Sequence, residues 1–333
     1  MPTPPLISVI IVSWNSAEHL PRCLDCLSQQ TFQDFEVILI DNGSLDNGTN
    51  NLEQKYPHLA LHIERLPSNL GFAVANNLGA RIARGVWLAL LNADAFPVSD
   101  WLEKLLEAVD EHPEFSFFSS RQIQANRPDF LDGSGDEYHI SGLAWRRFYN
   151  YQSQAYGGKK EEVFSACGAA ALYSRYDFLK VAGFDEAYFS YFEDVDLSFR
   201  LRLIGKRCLY VPQAVVHHVG SASTGKISDF VVYHGHRNLV WTYFKNMPGI
   251  LFWRYLPLHI LMNLFFIISF IFKGKGLAIL RAKVDALRRL PAIIRTRRHI
   301  QSSRKISASD ILQAMNKDVL APYWVSRQRH KRM

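Results

Sequence analysis

Four cysteines in 333 residues are too few for a disulfide-stapled scaffold. Cys23 and Cys26 have the spacing of a redox or zinc half-site, but no second pair completes one. A plain helix in a reducing compartment is the expectation there. No G-x-G-x-x-G turn and no P-loop lysine motif occurs anywhere. That argues against hydride transfer on a dinucleotide and against P-loop ATPase chemistry. Internal repeats and low-complexity tracts are lacking too. The chain opens Met1-Pro-Thr-Pro-Pro with no basic start, long apolar stretch or small-residue cleavage site, so no secretory leader is expected and a cytoplasmic setting is. With 21% charged and 48% apolar residues the chain is of ordinary globular composition, long enough for one large domain or two modest ones.

Acidic residues are scarce in one place. From Lys273 to Met333 there are 16 Lys/Arg against only Asp285, Asp310 and Asp318, whereas the preceding residues hold 22 basic and 28 acidic side chains. The net charge of +7 therefore belongs to a basic tail on a mildly acidic body. A uniform nucleic-acid-binding face does not fit that distribution, and no nucleic-acid partner is expected.

The first hundred residues alternate apolar runs of strand length with helical patterns. Leu6–Ser13, Val37–Asp41, Leu59–Glu64 and Trp87–Asn92 read as strands; Ala17–Gln30, Asp46–Tyr56 and Phe72–Arg84 read as helices. Such alternation predicts a mostly parallel sheet covered on both faces, with ligands beyond the carboxyl ends of its strands. Those ends carry Trp14-Asn15, Asp41-Asn-Gly-Ser and Asn92-Ala-Asp94. Arg121–Gly158 reads as loop and short strand.

Each candidate motif has a structural reading beside a chemical one. Gly43 and Asp46 suit a turn and a helix cap, while Asp41 could accept hydrogen bonds from a base or ribose. Asn69-Leu-Gly71-Phe opens a helix that carries Asn76 and Asn77, and the free N–H groups of a helix start favour anions. Asn92 and Asp94 end a buried strand, where a carboxylate suits a divalent cation bridging phosphates and a turn before Pro97 is the plain alternative. Glu193, Asp194 and Asp196 crowd the mouth of an apolar helix, Leu197–Ile204. The helix dipole accounts for part of that cluster, but three carboxylates call for a compensating cation or substrate. One of them could deprotonate an attacking hydroxyl. His217 and His218 follow a strand, and a neutral imidazole there can complete a metal shell with Asp94.

Taken in order, SVIIVSWN (Ser8–Asn15), IDNGSLD (Ile40–Asp46), NLGFAVANN (Asn69–Asn77), LLNADAFP (Leu90–Pro97), GFDEAYFSYFEDVDLSFRLRLIG (Gly183–Gly205) and VVHHVGSAS (Val215–Ser223) resemble the inverting family 2 glycosyltransferases. The likeness is strongest to rhamnosyltransferase-like members of bacterial surface-polysaccharide assembly. It implies an α/β fold of the GT-A, nucleotide-diphospho-sugar transferase type. It also implies a dTDP- or UDP-linked sugar donor, rhamnose among the candidate sugars, and a lipid-linked saccharide acceptor. Asn15, Asp41, Asn69, Gly71, Asn76, Asn92 and Asp94 would then line the nucleotide-sugar site. Asp94 and His218, with His217 in reserve, would hold Mg²⁺ or Mn²⁺. Asp194 would be the general base, with Glu193 and Asp196 completing the catalytic group by positioning acceptor or base. The wider family's D-x-D reads Asn92-Ala93-Asp94 here, so one carboxylate is a neutral amide, which bears on how strongly a metal is held.

The expected division is a catalytic domain over 1–225 and a helical, basic, membrane-associated region over 226–333. Ile250–Phe272 is apolar apart from Arg254, His259, Asn263 and Ser269, and is long enough to cross a bilayer. A single crossing would part the body from its basic tail, although nucleotide sugars and basic tails both favour the cytoplasmic side. An in-plane or re-entrant helix on the cytoplasmic face of the inner membrane follows. Arg254, His259 and Asn263 would form its polar edge, and Leu277–Ile300 would lie on anionic lipid. A helical hairpin covering the domain, or a dimer contact, is the alternative. Tyr233–Asn238 is expected on the acceptor side. A nucleotidyltransferase lacks its Gly-rich basic loop after Leu6–Ser13, and a silent adaptor would not retain both Asp94 and Asp194.

Overall fold

The computed structural model describes residues 3–220 and 228–322. The Ser221–Ser223 end of one motif, the expected boundary at 225/226 and the basic residues beyond 322 lie outside the described residues.

Twelve strands occur in chain order: β1 (Ile7–Ser13), β2 (Phe35–Asp41), β3 (Leu61–Arg65), β4 (Trp87–Asn92), β5 (Ala95–Pro97), β6 (Phe117–Gln124), β7 (Arg127–Gly133), β8 (Asp136–Tyr138), β9 (Ala144–Arg146), β10 (Glu161–Val163), β11 (Ala170–Ser174) and β12 (Cys208–His218). The main sheet runs β10-β12-β6-β11-β4-β1-β2-β3, with β5 against β12 and β7 against β6; β8 and β9 form a separate ribbon. The β4-β1-β2-β3 half is parallel, as expected. β1, β2 and β4 are apolar runs because both faces are buried, with Ile7, Val9 and Ile11 in one core cluster and Ile10 in the other, whereas the edge strand β3 is partly exposed and carries His62, Glu64 and Arg65.

Register delivers the strand ends to one edge. Ser13 pairs with Asp41 and Val12 with Asn92. On the far side β5 turns back beside β12, setting Ala95 opposite His218, so the Asp94 just before it meets that histidine.

Local departures from the expected elements have identifiable causes. Cys23 and Cys26 are free thiols on the helix Leu20–Ser28. The expected Asp46–Tyr56 helix shrinks to Leu52–Lys55, because Asn47 and Asn51 adopt left-handed φ (57° each) that a helix cannot carry. Asp46 does not cap it; its carboxylate accepts from the backbone N–H groups of Ala17 and Gly48. Arg121–Gly158 holds the end of β6 and three further strands. The helix over Leu197–Ile204 starts earlier, at Glu193, so all three acids lie in its first turn. His217 and His218 are the last residues of β12 rather than a loop after it. Leu277–Ile300 is two helices, Gly276–Arg288 and Leu290–Ser302. Pro291, which lacks an N–H, starts the second.

The first two helices after residue 228 pack back on the body. The helix Asp229–Asn246 lies against the acidic helix Glu193–Leu203. The helix Gly249–Phe272 turns His259 and Asn263 inward, where His259 Nδ1 lies 2.7 Å from the Ser141 carbonyl. Its apolar side chains, among them Trp253, Leu261, Leu264, Phe265 and Phe272, face outward. The polar edge expected to meet the headgroups is thus spent on the protein, apart from exposed Arg254.

Candidate active site

The site assembles at the strand ends in two patches. The first is built on Asp41, Asn69 and Gly71. Asp41 accepts from Ser44 N–H (2.9 Å) and Thr49 Oγ1 (2.5 Å). Burial alone would raise its pKa, but these bonds and Arg65 hold it below the ordinary carboxylate value. Asn15, at φ 49°, accepts from Leu45 N–H and ties the loop after β1 to the loop after β2. Asn42 donates to Asn69 and accepts from Leu70 N–H, bracing the approach to the helix Phe72–Ile82. Gly71 has φ +92°, and a Cβ on it would lie 2.7 Å from the Phe189 ring. The Phe189 carbonyl accepts from Phe72 N–H, so no other residue fits this crossing. The Asn76 amide turns back on the Phe72 carbonyl of its own helix, while Asn77 clamps Phe184 through both backbone groups.

The second patch centres on His218. Its Nε2 lies 3.3 Å from Asp94 Oδ1 and 3.5 Å from Asn92 Nδ2, and its Nδ1 lies 2.8 Å from Asp132 Oδ2. Arg146 pairs with the same Asp132 carboxylate. Burial would depress the imidazole, yet Asp132 and Asp94 on either side lift it to about 9. Asp132, despite burial, is held at about 2 by Arg146 and His218. His217 points to the opposite face of β12, where burial and nearby Arg22 push its pKa down.

Among the described residues no three His, Cys, Asp or Glu side chains group as a metal cage. Asp94 supplies one donor and His218 a second only once its imidazole, expected to be neutral but held protonated by Asp132 and Asp94, gives up its Nε2 proton; Asp132 orients the ring from behind in the manner of carboxylate-backed metal histidines. That donor set fits Mg²⁺ or Mn²⁺ taking its remaining ligands from diphosphate oxygens and water.

The three acids of the Glu193–Leu203 helix have distinct fates. Asp196 is sealed, its Oδ1 accepting from Lys245 Nζ (2.8 Å), Asn246 and Tyr188, and its Oδ2 from Arg200 Nε (2.8 Å). Glu193 is buried with Oε2 unpartnered, and burial together with the Asp194 charge pushes its pKa well up. Asp194 alone of the three is only half-buried. Gly168 N–H (3.1 Å) and Val195 N–H (2.8 Å) aim its carboxylate. Burial raises its pKa against those bonds and against Arg146. Asp136, on β8, is raised to about 8, first by burial and then by the Asp194 charge. The compensation demanded by three crowded carboxylates thus comes from Lys245, Arg200 and Arg146 of the chain itself.

The loop before this helix is backbone-strained: Phe189, Tyr191 and Phe192 all have φ between 65° and 68°. The Tyr233–Asn238 stretch holds it. Arg237 donates to the carbonyls of Ala187 and Tyr188, and Asn238 to those of Tyr188, Ser190 and Tyr191.

A parallel half-sheet ending in amides and carboxylates, faced by a half-exposed acid in a buried acidic cluster, suits transfer from a phosphate-activated donor. Residues 8–181 match the profile of "Glycosyl transferase family 2", and the chain belongs to that family. It is 31% identical over 252 residues, 66% of this chain and 78% of the relative, to the N-acetylglucosaminyl-diphospho-decaprenol L-rhamnosyltransferase of Mycobacterium tuberculosis. Among solved structures it is similar to Staphylococcus aureus TarS 1–349 (TM-score 0.55, 16% identity, 89% of this chain and 90% of that one). It is likewise similar to the mannosyltransferase PcManGT of Pyrobaculum calidifontis, solved with GDP-Man and Mn²⁺ (TM-score 0.53, 16% identity, 94% and 79%). The fold is GT-A type and the protein is a glycosyltransferase, rhamnosyltransferase-like in sequence, which sets aside the nucleotidyltransferase and silent-adaptor readings.

Proposed function

We propose that the protein transfers one sugar, rhamnose from a dTDP-linked donor being the leading candidate, with inversion, to a lipid-linked saccharide at the cytoplasmic face of the membrane. The observation that carries the base assignment is that Asp194 alone of its acidic cluster reaches the surface while two N–H groups fix its carboxylate. In this reading Asp194 takes the proton of the acceptor hydroxyl as that oxygen attacks the anomeric carbon opposite the leaving diphosphate, so no enzyme nucleophile is needed. Asp196 anchors the helix, and Glu193 fills the cluster beneath the base. Asn15, Asp41, Asn69 and Gly71 shape the nucleotide end, with Asn76 supporting the helix behind Gly71. Asp94 and His218, beside Asn92, would hold Mg²⁺ or Mn²⁺, which when bound offsets charge on the departing diphosphate.

Two features support the acceptor class. The similar mycobacterial enzyme is named for a diphospho-decaprenol substrate. The helix Gly249–Phe272, with a mean hydropathy of 2.0 over its best window, turns polar groups in and apolar groups out, the reverse of a water-facing helix. We place the division of labour at 1–225 for catalysis and 226–333 for membrane contact, in-plane or re-entrant.

The test is calorimetric titration of UDP, dTDP and GDP with and without Mn²⁺. One nucleotide should bind in a metal-dependent way, and Asp94→Ala should weaken it at least about tenfold. Equal binding by the variant, or binding indifferent to metal, would remove Asp94 from the site.

A further inference from the structure

A groove of about 360 Å³ lies between the helices Asp229–Asn246 and Gly276–Arg288, lined by Tyr233, Arg237, Trp241, Asp285, Arg288 and Arg289. We infer that it binds the diphosphate of a long-chain polyprenyl lipid, the anchor of the acceptor; this rests on the lipid-linked acceptor reading above.

Charge comes first. Three guanidinium groups face one carboxylate, an excess of two positive charges that matches a diphosphate diester. The cations are also organised. Arg237 lies 4.3 Å and Arg289 5.6 Å over the ring of buried Trp241, so both cations are gathered on one indole. Asp285 accepts from Tyr233 Oη (2.9 Å) and Arg288 (3.3 Å), which orients the wall rather than filling it. Arg237 is bonded to Asn238 and to the Ala187 and Tyr188 carbonyls and adds its charge from beneath, so Arg288 and Arg289 are the forks left to meet phosphate oxygens.

An apolar track leads to the groove. Leu277, Leu280, Val284 and Leu287 are exposed at spacings of three and four along the helix that ends in Arg288, so they share one face. A soluble phosphate has no use for that track, whereas a phosphate carried on a long hydrocarbon does. Finally, the groove is tied to the reaction centre. Arg237 both lines it and holds the strained loop before Glu193 and Asp194 through the Ala187 and Tyr188 carbonyls. An ordinary anionic phospholipid would need only the exposed basic surface, including Arg295 and Arg298.

The experiment is co-sedimentation of the full chain with phosphatidylcholine vesicles carrying either polyprenyl diphosphate or, at matched surface charge, phosphatidylglycerol. Inorganic pyrophosphate serves as soluble competitor. Wild type should prefer the polyprenyl diphosphate vesicles, and Arg288→Gln/Arg289→Gln should weaken that binding by about tenfold. Arg295→Gln/Arg298→Gln removes the same charge outside the groove and should keep the preference. No preference in wild type, or equal loss in both double variants, overturns the groove in favour of surface electrostatics. Full competition by pyrophosphate overturns the lipid as occupant in favour of a free phosphate. Nucleotide titration of the same samples separates the two readings: a protein that binds nucleotide but shows no lipid preference loses only the groove, and one that binds no nucleotide loses the proposed donor site instead.

Discussion

Asp194→Asn is expected to lower sugar transfer by about 10²–10⁴-fold while nucleotide binding stays intact, the range set by removing a positioned general base. The amide keeps the size of the side chain but only one acceptor, so it gives up one of the bonds that Gly168 N–H and Val195 N–H make to separate oxygens, while Asp196 still anchors the first turn. What it cannot do is receive a proton. The pH profile offers a second check. Burial raises the Asp194 pKa above the ordinary carboxylate value, so kcat/KM should fall as pH drops through that raised pKa. A loss of less than about tenfold at neutral pH would move the base elsewhere in the cluster.

Asp136 sharpens the test because it sits in the same cluster with a different proton. Burial, and then the Asp194 charge, raise it to about 8, so near neutral pH it is largely protonated. Asparagine is nearly isosteric with a protonated acid. Asp136→Asn should therefore keep most activity at neutral pH. Its effect on stability has a definite sign. A carboxyl whose folded pKa is raised binds its proton more tightly when folded, so it costs stability as pH climbs from the ordinary carboxylate range to about 8. The variant should consequently gain thermal stability over wild type at alkaline pH. A variant as inactive as Asp194→Asn would show that the two acids share the base role.

The parallel half of the fold and the ends of its strands were legible because β1, β2 and β4 are buried on both faces and so write apolar runs. The same rule led from Asp41, Asn92 and Asp94 to one sheet edge. Asp132, Asp136 and Arg146 were not legible. They reach the site through β7, whose pairing with β6 shifts register, and through β8 and β9, three residues each and too short to write a periodic pattern. Their positions depend on partners far along the chain, as when Asp132 meets His218. Lys245 left a fainter trace, as a lone cation directly after the largely apolar run Leu239–Phe244, but its partner is set by helix packing. The acidic helix was placed correctly in kind and wrongly in extent: its first turn begins at Glu193 because Asp196 is neutralised from outside, which sequence spacing does not record.

That neutralisation carries the largest expected stability effect. Lys245 and Asp196 are 1% and 0% exposed, and Lys245 also reaches Asp185 at 2.6 Å. Removing one member leaves the other with a single charged partner, Arg200 for Asp196 or Asp185 for Lys245, so Lys245→Met and Asp196→Asn should each cost up to about 3–5 kcal/mol in denaturant unfolding. The double variant should cost clearly less than the sum of the singles, because the contact between the two is lost only once. Additive losses would mean that the two side chains do not act as a pair, and the double variant keeps that comparison open where a single one unfolds. The pH dependence follows from the Asp196 pKa. Burial would raise it, but Lys245 and Arg200 hold it below the ordinary carboxylate value. A depressed carboxylate stabilises the fold above its unfolded pKa and loses that contribution only as pH falls through the lower folded value. Wild type should therefore resist acid to a lower pH than Lys245→Met. Because Asp196 fixes the first turn that presents Asp194, folded single variants should also lose transfer, and the loss should appear in kcat more than in nucleotide affinity.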